Sequence, residues 1–270
     1  MGGAEVQQKL QDRVAIVYGA GSVGEGWGNG KASAVAYARA GAKVACVDMN
    51  KAAAQATVEI IRGEGGQAIA IEANVVSLDE VRAATDAVMR TFGRVDVLHN
   101  NVGISSSGGP VEASEESWDR VMSVNVKSMF LTCKCALPAM VDQGRGAIVN
   151  ISSLAGIRWT GYNYSSYYAS KAAVINFTRG IAIEYAGRGI RANTILPGLM
   201  DTPHIYQQIS GYYRTIDEMI AARHKISPTG RMGTAWDIAN AAVFLASDDA
   251  AYINGVELPV DGGLHIKAGV

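Results

Sequence analysis

The chain has 270 residues, 49% of them hydrophobic and 18% charged, enough apolar matter for one large α/β core, which excludes disorder of the whole chain. Lys and Arg number 24 against 25 Asp and Glu, with no dense basic cluster, so nucleic acid is not an expected partner. No apolar run reaches the roughly 18 residues that cross a bilayer, the start "MGGAEVQQKLQD" lacks a secretory core, and Val6 stands where myristoylation at Gly2 wants Ser or Thr, so a cytoplasmic protein is expected.

In chain order, short β-branched apolar runs alternate with longer helical patterns. The strand candidates are 13–18, 43–48, 67–73, 95–100, 146–152, 190–196 and 255–260; the helical segments are 30–39, 51–63, 78–92, 115–142, 165–186 and 235–246. Seven continuous apolar strands, each separated from the next, argue for a parallel sheet covered on both faces: a single-domain, doubly wound α/β fold spanning 1–270. Residues 1–11 read as a flexible N-terminus. The stretch 201–233 breaks the rhythm with helical pieces, aromatics and two prolines, and an insertion there would sit over the carboxyl ends of the strands as a substrate lid.

The first strand runs into "YGAGSVGEGWGNGKASA", where competing glycine registers overlap. Gly19, Gly21 and Gly24 spell G-x-G-x-x-G, but a helix begun there would carry further glycines in its first turns, at about 1 kcal/mol each. If Gly28 and Gly30 open the helix near Asn29, it runs without glycine until Gly41 caps it. Glycines suit such a loop because a Cβ would hold a pyrophosphate away from backbone N–H groups and the helix N-terminus. Asp48 ends the second strand, where a carboxylate accepts from both ribose hydroxyls and repels a 2′-phosphate, which favours NAD; the same residue would also suit a helix cap.

Further along, Tyr167 and Lys171 lie one helical turn apart. A phenol is a poor base at neutral pH, and a neighbouring ammonium would lower its pKa and fit it to move a proton to or from an alcohol. Cys46, Cys133 and Cys135 suit a reduced compartment; residues two apart on a helix diverge, and no metal site is expected.

The sequence resembles the short-chain dehydrogenase/reductases. Their T-G-x-x-x-G-x-G corresponds to Gly19, Gly28 and Gly30, with 23–27 inserted and Tyr18 in place of Thr. "NNVG" at 100–103, "VNV" around Asn125, "ISS" at 151–153, "YYASK" at 167–171, "LPG" at 196–198 and "VDGG" at 260–263 follow in order. The resemblance implies a Rossmann fold and a nicotinamide dinucleotide bound by Gly19, Gly28, Asn29, Gly30 and Asp48, by Asn74 and Val75 near the adenine, and by Asn101 and Gly103 after the fourth strand. Pro197, Gly198, Leu199 and Thr202 would hold the carboxamide. It further implies Tyr167 as general acid/base, Lys171 as its partner and ribose ligand, Ser153 on the substrate oxygen, and Asn125 behind a proton relay.

Trp159, Tyr162, Tyr164, His204 and Tyr206 surround the expected substrate pocket with Ser153. Arg158, Arg214 and Arg223 read as isolated surface residues, so a neutral, moderately bulky secondary alcohol or ketone is expected. A 3-oxoacyl reductase, a sugar or polyol dehydrogenase, and a non-catalytic dinucleotide sensor are the alternatives. By resemblance, 115–142 and 165–186 are helices through which a homotetramer forms, and the tail "LHIKAGV" offers a second interface.

Overall fold

The computed structural model describes residues 8–268, apart from the side chains at 208 and 210. Gly2 and Val6 lie outside the described residues, as do the last two residues of the tail. The flexible stretch expected over 1–11 does not extend to Leu10, which is fully buried and whose N–H donates to Ala40 O at 2.8 Å.

Seven strands form one parallel sheet: β1 (Val14–Tyr18), β2 (Lys43–Asp48), β3 (Ala68–Glu72), β4 (Val97–Asn100), β5 (Gly146–Ile151), β6 (Ile190–Pro197) and, after two short strands described below, β9 (Glu257–Val260). Their order is β3-β2-β1-β4-β5-β6-β9. The order reverses between β1 and β4, and the loops leaving those strands part there, which opens a crevice at their carboxyl ends. Register brings Tyr18 level with Asn100, and Asn100 level with Asn150.

Every residue of β1, β4 and β5 is buried, because helices cover both faces. On one face lie α1 (Asn29–Arg39), α2 (Lys51–Gly63) and α9 (Ala235–Ala246); on the other α3 (Leu78–Phe92), α5 (Ser128–Gln143) and α6 (Ser165–Tyr185). Each buried Val, Leu or Ile in these layers contributes about 1.5–3 kcal/mol. Ala32 and Ala36 of α1 meet Ala235 and Ala239 of α9, small side chains that let the two helices approach closely. Local chemistry starts the helices where they start. Asn50 Oδ1 accepts from Ala52 N and Ala53 N to cap α2, Ser77 caps α3, and Thr234 with Asp237 forms a capping box on α9.

The segment expected as one helix over 115–142 is α4 (Glu115–Met122) and α5 joined by a π turn at Ser123–Lys127. The reason is Asn125, fully buried at the turn, whose side chain bonds across to Ile104 N and O. The 201–233 segment contains α7 (Pro203–Ile209) and α8 (Ile216–Ile226). Its two ends are tied together by β7 (Met200–Asp201) and β8 (Gly233–Thr234), which pair in parallel.

Candidate active site

The loops after β1, β4, β5 and β6, together with α7 and α8, enclose a cavity of about 1160 Å³. Its inner end is a glycine cradle. Gly19 adopts φ +78°, a left-handed conformation, and a Cβ there would lie 3.0 Å from Val102 Cγ2. A Cβ on Gly30 would lie 1.9 Å from Gly19 O, so that helix and loop touch only because Gly30 has none. Helix α1 begins at Asn29 with Gly28 as its N-cap and no acidic residue in its first turn, so its positive end faces the cavity uncompensated. Ser22 Oγ and Asn29 Oδ1 are buried beside it without a hydrogen-bond partner among the described residues. Bare glycine backbone, a helix N-terminus and unsatisfied polar atoms fit a dinucleotide's phosphates.

Gly21, set aside in choosing the Gly28–Gly30 register, also belongs to this wall: its N–H donates to Asp48 Oδ2 at 3.0 Å, and a Cβ would lie 2.6 Å from Ala53 Cβ. Asp48 Oδ1 accepts from Asn50 N at 2.9 Å. Because Asn50 caps α2, Asp48 is not spent as a cap, and its carboxylate lines the cavity. Asn74 and Val75 line the same end, and Asn101 Nδ2 donates to Gly19 O at 3.2 Å. Residues 23–27 reach toward α7 and α9: Val23 O accepts from Gln207 Nε2 at 3.0 Å, and Trp27 packs on Trp236 with centroids 4.8 Å apart. Tyr18 does not line the cavity; it is buried on the other side of β1 with Val81 and Cys133.

At the centre, Ser153, Tyr167 and Lys171 share the cavity wall. Lys171 is 3% exposed, and its Nζ donates to Ile151 O at 3.0 Å and lies 5.6 Å from the Tyr167 ring centroid. Burial pushes its ammonium down to about 8. A Cβ on Gly103 would lie 2.9 Å from that Nζ, so a larger residue there would press on the end of the lysine side chain. The sequence leads one to expect a tyrosine acidified by this lysine, but here burial dominates and raises the Tyr167 pKa. The Ser153 hydroxyl opposes that rise by hydrogen bonding. Ser153 Oγ accepts from Ala155 N at 3.1 Å, which leaves its proton available to donate.

Asn125 stands behind Gly103 as a clip rather than on the cavity wall. Its Oδ1 accepts from Ile104 N, and its Nδ2 donates to Ile104 O and to Ser170 Oγ, each within 2.9 Å, fixing the β4 loop to α6. Ser152 Oγ donates to Lys171 O at 2.8 Å, a second brace on the Tyr167–Lys171 turn of α6. Pro197, Gly198, Leu199 and Thr202 border the cavity after β6, where Gly198 packs against Asp261 so closely that a Cβ would lie 2.6 Å from its Cβ.

The outer end is aromatic. Tyr164 meets Tyr167 edge-on at 6.3 Å, Tyr162 stacks on Tyr164 at 5.5 Å, and the Tyr162 and Tyr213 hydroxyls bond at 2.9 Å. Trp159 lines the rim, stacked on Tyr168, whose hydroxyl accepts from Thr160 N and donates to Tyr162 O. His204 lines the cavity, its pKa lowered by burial and then by Lys171. Tyr206, expected in the pocket, does not line it; its hydroxyl donates to Asp201 Oδ1 at 2.7 Å.

Two arginines read as surface residues also stand elsewhere. Arg158 borders the cavity and donates to Leu264 O, and Arg223 is 6% exposed and faces the cavity from α8; Arg214 is exposed as expected. The spacing of Met219, Arg223 and Ile226 on one helical face is the signal that would have found Arg223.

A family profile described as enoyl-(acyl carrier protein) reductase matches residues 24–265. The chain is 40% identical over 258 residues to the 2,5-dichloro-2,5-cyclohexadiene-1,4-diol dehydrogenase of Sphingobium indicum, covering 96% of this chain and 98% of that one. It superposes on a crystal structure described as a short-chain dehydrogenase/reductase from Burkholderia xenovorans with a TM-score of 0.93 and 42% identity, over 97% and 99% of the two chains. A Beutenbergia cavernae structure, described as an NAD(P)-dependent gluconate 5-dehydrogenase with bound NADP, gives 0.87 and 36% identity over 97% and 100%. With that profile, those relatives and a nicotinamide-dinucleotide fold in agreement, the chain belongs to the short-chain dehydrogenase/reductase family and is an oxidoreductase.

Proposed function

We propose that this chain uses NAD to interconvert a moderately bulky secondary alcohol and its ketone, with Tyr167 moving the proton. The observation that carries the reading is that Ser153, Tyr167 and buried Lys171 share a cavity wall with the glycine cradle. A bound nicotinamide dinucleotide supplies or accepts the hydride. In the reducing direction the Tyr167 phenol, held protonated by burial, gives its proton to the ketone oxygen as negative charge builds there. Ser153 donates a hydrogen bond to the same oxygen, and Lys171, anchored on Ile151 O, places positive charge beside it. Asn125 acts as a positioning residue that holds the β4 loop and α6 together around them.

NAD is favoured over NADP because the Asp48 carboxylate is pinned from two sides at the end of β2, where a 2′-phosphate would meet its charge. The expectation of a neutral substrate rested on Arg158, Arg214 and Arg223 all lying at the surface, and the places of Arg158 and Arg223 in the cavity remove that ground. We also assign a homotetramer, supported by the exposed Phe130 on α5 and Ile183 on α6.

The test follows the absorbance of the reduced nicotinamide with a panel of secondary alcohols and ketones. Tyr167→Phe is expected to lower kcat by roughly 10²- to 10⁴-fold while NADH binding, read by fluorescence, persists. A Phe variant with undiminished turnover would refute the assignment.

A further inference from the structure

We propose that Arg223 receives an anionic group of the substrate, a carboxylate or sulfonate carried at the end remote from the reacting carbon. This rests on the reading of the cavity as an alcohol and ketone site, and it names the chemical class that site takes.

Arg223 projects from the inner face of α8 between Met219, fully buried, and Ile226, which also lines the cavity. Its side chain is 6% exposed, yet among the described residues no carboxylate lies within ion-pair distance of it. Its Nε bonds to Met232 Sδ at 3.2 Å, a weak acceptor, and the guanidinium also meets the Tyr162 hydroxyl. A guanidinium has five N–H donors, so these contacts leave most of its capacity unused. Burying such a charge without an anion is expensive, and arginines kept in this way are matched by an anion in planar, two-point contact.

The surrounding charges point the same way. Among the described cavity-lining residues the sole carboxylate is Asp48, at the cradle end beside β2. Arg158 and Lys267 line the wall near α8, where Lys267 Nζ donates to Ile226 O at 2.9 Å. The outer end is therefore positive on several sides and holds no acidic side chain among the described residues. The ring series from Tyr167 through Tyr164 to Tyr162 spans the distance between the proton-transfer group and Arg223. A substrate lying along those rings would present its oxygen to Tyr167 and its anion to the guanidinium. Were Arg223 only a packing element under Tyr162 and Tyr213, it would not distinguish charged from uncharged substrates.

The experiment uses linear methyl-ketone carboxylic acids of increasing chain length from levulinate upward, each paired with its methyl ester, and methyl-ketone sulfonates of matching length, all with NADH. The wild-type enzyme is expected to prefer acid or sulfonate over ester at one chain length. Arg223→Met is expected to reduce that acid-to-ester ratio of kcat/KM roughly 10- to 100-fold, mainly through KM, and Arg223→Lys to restore part of it. The thermal shift given by the acid on the NADH complex should fall in parallel, a readout that does not need turnover. A ratio that Arg223→Met leaves unmoved, or a wild-type preference for the esters at every length, overturns the proposal. If no ketone is reduced but the acid still shifts the wild type and not Arg223→Met, the anion site stands and the alcohol and ketone reading fails.

Discussion

Lys171 is costly where it sits, and replacing it by a neutral side chain of similar length should stabilise the cofactor-free protein. The ammonium is 3% exposed, its hydrogen-bond partner in the wall is a single carbonyl, Ile151 O, and burial lowers it from the ordinary 10.5 to about 8. At about 1.4 kcal/mol per pH unit that difference corresponds to roughly 3 kcal/mol against the folded state at neutral pH. Lys171→Met removes the charge and leaves Ile151 O without its donor, a loss of about 1–2 kcal/mol. A net gain of about 1–2 kcal/mol remains, equivalent to a Tm higher by roughly 2–8 °C for a chain of this size.

The pH dependence distinguishes this explanation from better packing of Met. Between about 8 and 10.5 the unfolded lysine still binds a proton that the folded one has released, so wild-type stability rises with pH across that window relative to the variant. Below about 8 the penalty is fully present. The advantage of Lys171→Met should thus be greatest near neutral pH, shrink as the pH rises through the window, and change sign above it, where only the lost hydrogen bond remains. Denaturant melts of both proteins without dinucleotide provide the measurement. A variant that melts lower at neutral pH, or a gap that does not vary with pH, would refute the reasoning.

Gly30→Ala places a Cβ 1.9 Å from Gly19 O, so the loop must part from α1; a loss of about 1–3 kcal/mol in melts and weakened NADH fluorescence binding are expected, and normal values of both would contradict the cradle geometry. Asp48→Ser removes the pinned carboxylate, and the ratio of kcat/KM with NADP to that with NAD should rise about tenfold or more; an unmoved ratio would mean that something other than Asp48 selects the cofactor.

The sheet was legible because its central strands are buried on both faces and so read as unbroken apolar runs, and β2 and the start of β5 fall where the sequence places them. Several helix starts were legible, as at Lys51 after Asn50 and Leu78 after Ser77, whereas α8 after its Thr215 cap is absent from the expected helices. What escaped was decided by contacts between segments distant in sequence. Asn125 turns part of a long helix into a π turn because its partner is Ile104, a constraint absent from any local pattern. Gly21 falls outside the Gly28–Gly30 register, whereas its crowding comes from Ala53 on α2 and Asp48 at the end of β2. The place of Tyr206 in the 201–233 stretch leads one to expect it in the pocket, but Asp201 draws its hydroxyl elsewhere. Arg223 was misread because charged residues mostly sit outside, and only the helical period of α8 opposes that expectation.

The two buried cations, Lys171 and Arg223, are the clearest mark that this cavity is shaped by chemistry rather than by stability. Each is destabilising on its own account, since burial lowers the pKa of both and neither meets a carboxylate among the described residues. The fold can carry them because β4 and β5 beneath are fully buried and one set of polar groups crossing the core is paired. Asn100, Asn150, Thr132 and Thr178 form one chain of hydrogen bonds, each 2.8 Å, linking β4 and β5 to α5 and α6. That chain runs below the Tyr167–Lys171 turn and fixes the two strands whose ends present the β4 loop and Ser153. The positions that cost stability thus rest on those most rigidly held, so that charge along the cavity runs from the Asp48 carboxylate through Lys171 to Arg223. A ligand with a reducible carbonyl at one end and an anion at the other would find only one orientation in such a field.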